Sequence, residues 1–389
     1  MSHPAEKTSS TNNSRTFDQK ENNNIILKDN LEKAKKKGVP ASVYGFIFSS
    51  FSLTMFLFAP IGQIGPYFMM NSGLFVNACC IILFGLLDNI HSRTSFTAIA
   101  FLVRIVEAIG NAAYSTAIQA ILTETFPTEI EKTFGFFRGA YGLGLIMGPA
   151  IGGTLYQLSG YALPFFCTGG FLLIVYTLST ILFWNKSDNV NTKISESIIV
   201  KALRIPSVSL SMVAVCLGGM SIGFLNVTLE PHLHQFNLQA IEVGLMFVLN
   251  GSVFSLTSVL WGLLCRRKIS PKIEIALGAS IMCIAYLLIG PAPFMPWNSS
   301  VIMCAISMAF HGFGLATELL ASYSDALEQS KRNDCPDSYQ TYGVISGLWT
   351  AFFQLGNFIG PSIGGVLYDQ IGFREASVVL LGLQLGLMV

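Results

Sequence analysis

A few ionisable and amide side chains stand inside stretches of this sequence that are otherwise apolar, and they are the residues able to do chemistry. Arg104 and Glu107 are three apart, which puts them on one face of a helix where they can pair. Glu318 and His311 are seven apart in a second apolar stretch, again on one face. An ionisable group in such a setting is costly and ordinarily faces a bundle interior or a water-filled cavity. A carboxyl that alternates between a proton and a cation is what cation/proton exchange requires, so Glu318 is a candidate for that exchange. His311 can share the proton, because imidazole titrates near neutrality. The plainer alternatives are a structural ion pair for Arg104 and Glu107, and a helix-end carboxylate reaching water for Glu318. Asn250, Gln354 and Asn357 either line a polar path or hydrogen-bond between helices. Tyr141, Trp349 and Phe353 offer aromatic faces to an organic cation, although packing is the commoner use of such residues.

Nothing beside these groups resembles an enzyme. The sequence holds no GxxxxGK[ST] phosphate loop, no HExxH pair and no Ser/His/Asp set at useful spacing. No enzyme activity, cofactor or metal is therefore expected. Eight cysteines are present without a CxxC pair, and most lie in apolar runs, as buried free thiols do. A net charge of +1 with no basic recognition helix excludes nucleic acid as a partner. Hydrophobic residues make up 52% and charged residues 12%, where a soluble chain carries about 25% charged. The partner implied is the lipid bilayer.

Eleven apolar segments must position these groups, each near the roughly 20 residues that a membrane-spanning helix needs. They fall near 42–62, 67–87, 95–120, 139–158, 162–184, 207–229, 241–264, 273–290, 299–325, 343–368 and 375–389. Residues 1–40 form a polar tail without a signal-peptide core, and 185–206 is the one long polar linker. It divides an N-terminal bundle, 41–184, from a C-terminal bundle, 207–389.

The fourth segment carries Gly144, Gly148, Pro149 and Gly152; the tenth repeats them as Gly356, Gly360, Pro361 and Gly364. The two copies even leave alike, as Gly160-Tyr161 and Gly372-Phe373. Glycines every four residues form a face for close helix packing, and proline removes a backbone donor, so tight contacts and a bend are expected in both. A long motif shared at one separation marks an internal duplication, whose copies enter the membrane in the same direction. The copies sit fourth before the linker and fifth after it, so the expected plan is six plus six helices, lacking the first and clipped at the last. Basic residues of the linker, of 265–272 and of 326–340 fall on one side, expected to be cytoplasmic, while Lys33 to Lys37 fall on the other.

The run Ala120-Ile-Leu-Thr-Glu-Thr-Phe-Pro127, followed by Gly142 to Tyr161, resembles the vesicular amine transporter family of the major facilitators. Ile82 to Asp88, Phe101 to Arg104, Gly223-Phe-Leu with Phe236-Asn-Leu238, and Gly347 to Phe373 look most like its vesicular polyamine transporter branch. The resemblance covers roughly 30–389. It implies an all-α membrane protein of major facilitator fold, with two pseudo-symmetric helix bundles. It also implies proton-driven antiport of organic cations or polyamines, in the membrane of a secretory or synaptic vesicle or another acidic organelle. Arg104, Glu107 and Gly110 resemble the family's Arg-x-x-polar-x-x-Gly signature, tied there to proton coupling. Glu230, in Leu-Glu-Pro, looks like the segment whose acid helps recognise the amine, with Asn226 where close relatives carry another acid. Glu230 reads equally well as a surface acid at a helix end.

Two departures stand out. The family's gating loop, normally bearing an acid and a basic pair, is here Ala59-Pro-Ile-Gly-Gln-Ile-Gly-Pro66. Its second-half counterpart puts Arg266 where the acid belongs. Three readings follow: a monomeric transporter of organic cations, a facilitator of another metabolite, or a membrane protein that binds partners through a transporter fold without transporting.

Overall fold

The computed structural model describes residues 41–60, 65–90, 92–184, 196–238, 240–264, 270–293, 295–296 and 298–388. The tail, Lys33 to Lys37 and Arg266 lie outside the described residues. So does the gating-loop stretch 61–64.

Among the described residues there are twelve α-helices and no strand. These are α1 (Ala41–Phe58), α2 (Pro66–Leu86), α3 (Arg93–Thr125), α4 (Ile130–Ser159), α5 (Ala162–Phe183) and α6 (Glu196–Arg204). After them come α7 (Pro206–Leu233), α8 (Ala240–Leu264), α9 (Pro271–Ile289), α10 (Val301–Arg332), α11 (Tyr339–Ile371) and α12 (Phe373–Met388). Eleven of them fall on the eleven apolar segments. Seven are long and apolar enough by themselves to cross a membrane. In α5 only 11% of the apolar window is buried, and Phe171, Ile181 and Leu182 are bare. In water such a face would aggregate; facing lipid it costs nothing.

The described end of the linker is the helix α6, which buries Ile198 and Ala202, with Ile205 after it, in the main hydrophobic core. Lys201 and Arg204 close its last turn, where cations complement the helix dipole.

Cross-helix contacts fix the directions. Gly219, Gly223 and Gly356 show α7 and α11 advancing together, through Phe353, Pro361 and Cys216. Ser207 and Ser211 of α7 bond Asp325 late in α10, while Ser221 meets His311 earlier in it, so α7 and α10 are antiparallel. Asn250 with His311, and Phe254 with Gly312, run α8 parallel to α10. Gly135 against Ser258 and Gly142 against Phe254 run α4 antiparallel to α8. The glycine helices α4 and α11 therefore point the same way, as the duplication requires. Both end on a glycine in the left-handed region, Gly160 (φ 75°) and Gly372 (φ 85°), whose N–H groups bond Tyr156 O and Tyr368 O. Only glycine holds that backbone without strain. The same directions put the linker, the α8–α9 connection and the α10–α11 loop on one side, hereafter the linker side.

The two copies differ in what their glycines do. In α11 the row is packed to contact. A Cβ on Gly356 or Gly360 would overlap the carbonyl oxygens of Cys216 and Met220, and one on Gly364 would lie 2.9 Å from Phe224. In α4 the close packing expected at Gly144 and Gly148 is not seen, since no described residue lies within 4 Å of a Cβ placed on either. The contact row of α4 is instead Gly135, Gly139 and Gly142, set against Ser258, Val259, Gly262 and Ser255 of α8. Pro149 and Gly152 lie further along α4, and both helices run unbroken through their prolines.

Candidate functional site

The seam between the two halves is closed by a polar and aromatic layer on the linker side. Thr123 of α3 and Tyr323 of α10 share a hydrogen bond of 2.8 Å, and Tyr323 shares a second, also 2.8 Å, with Ser346 of α11. The Tyr323 ring stacks on Phe134 of α4 at 3.8 Å. Gln119 of α3 donates to Thr350 Oγ1 of α11 (3.1 Å), and Ser255 of α8 donates to Gly139 O of α4 (2.7 Å). Gly347 allows the chain at Ala59 and Pro60 to touch α11, backbone against backbone. Past this layer α4 opens: Tyr141 and Leu145 are exposed and Gly144 and Gly148 look onto open space.

The floor of that opening is Arg138, a residue the sequence reading passed over. It is 7% exposed and its guanidinium lies 3.8 Å from the centre of the Trp349 ring, an arrangement that favours a cation over an indole face. Among the described residues its side-chain hydrogen bond goes to Gln119 Oε1 at 3.3 Å. Trp349 in turn stacks on Phe353 at 5.3 Å, and its Nε1–H is buried without an acceptor. Trp349 and Phe353 thus build the layer itself, whereas Tyr141 stands at its open edge.

His311 is held inside the second half. Asn250 Nδ2 donates both to Met308 O (2.8 Å) and to His311 Nδ1 (2.8 Å). An Nδ1 that accepts must carry no proton, so Nε2 bears the hydrogen and donates to Ser221 Oγ at 3.1 Å. Ser221 passes its own hydrogen to Gly218 O (2.8 Å). The chain of bonds runs one way, from α8 through α10 to α7.

Glu318 does not share that cluster, although it is on the same helix. It is fully buried between α9 and α12, where Gly278 lets α9 approach its backbone. Gln384 Nε2 donates to its Oε2 at 3.4 Å, and Oε1 of both Glu318 and Gln384 has no partner. The alternative of a helix-end carboxylate in water is thereby removed. What remains is a buried carboxyl with one oxygen lacking a donor, which a proton or an ammonium group would satisfy.

Arg104 and Glu107 form the ion pair their spacing predicts, at 2.7 Å, with the guanidinium over the rings of Phe51 and Phe84. They lie among α1, α2 and α3, away from the Arg138 layer. Gly110 lets α3 meet α2 at Gly73. Gln354 reaches α1, with Nε2 2.9 Å from Met55 Sδ, and Asn357 Nδ2 donates to Gln354 Oε1 (3.4 Å). Both amides therefore face the seam. Asn226 is exposed and Glu230 half-buried near the far end of α7. Beyond them lies a cavity of about 570 Å³ lined by His232, Gln235, Tyr368 and Arg374. No cluster of metal-binding side chains occurs among the described residues.

Helices of this number, with the glycine-proline helix repeated in one direction on either side of a seam, are the plan of a membrane transporter. Residues 25–332 match the family model of the Major Facilitator Superfamily, and the chain belongs to that family. It is 32% identical over 355 residues to the human MFS-type transporter SLC18B1, covering 90% of this chain and 77% of that one. To the rat chromaffin granule amine transporter it is 23% identical, covering 86% and 62% respectively. The crystal structure of the major facilitator FucP in its outward conformation superposes with a TM-score of 0.67, at 14% identity, over 94% of this chain and 93% of that one. The family consists of transporters, not enzymes.

Proposed function

We propose that this chain is a proton-coupled antiporter of organic amines, polyamines included, that loads an acidic vesicle or a similar organelle. It works as a monomer in which the halves 41–184 and 207–389 rock about the seam. The observation that carries the coupling is the buried Glu318–Gln384 pair, in which one oxygen of each side chain is buried without a donor. A proton bound there completes the cluster, and its loss leaves an uncompensated buried charge, so the two states favour different packings of α9, α10 and α12. The one-way bonds through His311 hold α7, α8 and α10 in register while this happens. Arg104 and Glu107 brace the first half, and Gln354, Asn357, Glu230 and Asn226 border the path. A relationship to a protein named for amine transport supports the substrate class.

The test is spermidine uptake into liposomes with an acidic interior, with and without collapse of the pH gradient. Gradient-dependent uptake is expected, and Glu318→Gln should lose at least nine-tenths of it. Uptake indifferent to the gradient, or undiminished in Glu318→Gln, would remove the coupling role.

A further inference from the structure

The floor of the opening is built of donors with nothing to accept from them. Arg138 offers five N–H groups, of which one meets Gln119 Oε1 at 3.3 Å. The Nε1–H of Trp349, the ring under that guanidinium, is buried without an acceptor among the described residues. Among the described residues Arg138 takes part in no ion pair, and the buried carboxylates of the helices are committed elsewhere. Glu107 holds Arg104, Asp325 accepts from Ser207 and Ser211, Glu274 accepts from Trp261, and Glu318 is bonded to Gln384 in the second bundle. A buried cation with no carboxylate partner is costly, and a planar guanidinium is the side chain best shaped to take a carboxylate in two parallel bonds. Tyr141, one turn along the same face of α4, is exposed, so that face leads from the opening to Arg138.

We propose that amines which also carry a carboxylate are the preferred cargo, the carboxylate docking on Arg138 beside the Trp349 Nε1–H. This deepens the amine-transport reading and rests on it. A bare diamine reaching the floor would meet a like charge; a zwitterion would bring the missing acceptor there and leave its ammonium end for the aromatic and amide groups around it.

Three probes of one length separate the possibilities: 5-aminopentanoate, 1,5-diaminopentane and pentanoate. Their binding is measured by equilibrium dialysis against the full chain in lipid nanodiscs, for the wild type, Arg138→Gln and Arg138→Lys. The wild type is expected to bind 5-aminopentanoate at least about tenfold more tightly than 1,5-diaminopentane, the gain of a charge-assisted contact. Arg138→Gln should erase that preference and Arg138→Lys keep part of it. Pentanoate bound through Arg138 while neither amine binds would uphold the carboxylate site and remove the amine reading. The diamine binding as well as the amino acid in the wild type would overturn the site and leave the amine reading standing. A preference unchanged in Arg138→Gln, or no carboxylate binding at all, also overturns it.

Discussion

The two glycine helices give opposite answers to the same substitution, and the difference can be worked out from their neighbours. A methyl on Gly360 would overlap Met220 O and stand 3.0 Å from two further backbone atoms of α7, where carbon atoms prefer about 3.5–4.0 Å. Backbone cannot swing aside, so α7 and α11 must part along their length, at a cost of about 1–3 kcal/mol. The same methyl on Gly148 meets nothing within 4 Å and replaces glycine by the best helix former, a gain of up to about 1 kcal/mol. That gain is common to both helical sites, so Gly360→Ala and Gly148→Ala should differ by the overlap alone, about 1–3 kcal/mol, or roughly 1–4 °C in melting temperature for a chain of this size. The assay is thermal loss of the monodisperse peak of purified protein, with every variant heated at one rate because such unfolding is irreversible. Gly360→Ala melting at or above Gly148→Ala would refute the assignment of α11, and not α4, as the packed copy.

Two further predictions concern the linker side. Tyr323→Phe removes the hydroxyl that joins Thr123 to Ser346, a net loss of about 1 kcal/mol. Labelling of a cysteine placed at Thr350, in a background without native cysteines, should quicken about fivefold from the linker side; an unchanged rate would mean the bond does not hold the closed state. Asp337, in the loop between α10 and α11, pairs with Lys331 at 2.8 Å and accepts from Tyr342, bonds that hold its carboxyl below the usual carboxylate range. Its folded value is the depressed one, so this contribution is present above the ordinary carboxylate pKa of about 3.9 and is lost as the pH falls through the lower folded value. Hydrogen exchange in 333–341 should thus stay constant from pH 7 to pH 5 and rise, after correction for intrinsic rates, only below about pH 4. A rise at pH 5 to 6 would contradict the pairing.

Much of this protein was determined by the sequence alone, because span length and repeat spacing are local properties of the chain. Apolar runs of bilayer length placed eleven helices, and the doubled Gly-Pro motif set the common direction of α4 and α11 before any contact was known. Arg104 and Glu107 pair because both lie on one helix turn. Tertiary structure alone decided which row of glycines in α4 is packed. Gly135, Gly139 and Gly142 meet α8 while Gly144 and Gly148 meet nothing, and a spacing of four does not say which row a neighbour will choose. It also separated Glu318 from His311, since residues seven apart diverge by about 20° on a helix and here turn to different neighbours. Arg138 escaped the sequence for a physical reason. Glu131, Lys132 and Arg138 dilute the apolar run, which therefore begins at 139, whereas α4 starts at Ile130. The aromatic turn of Phe134, Phe137 and Tyr141 around the arginine was the available signal. Only the seam, which closes α3, α10 and α11 over those residues, turned a charge at the edge of an apolar run into a buried one.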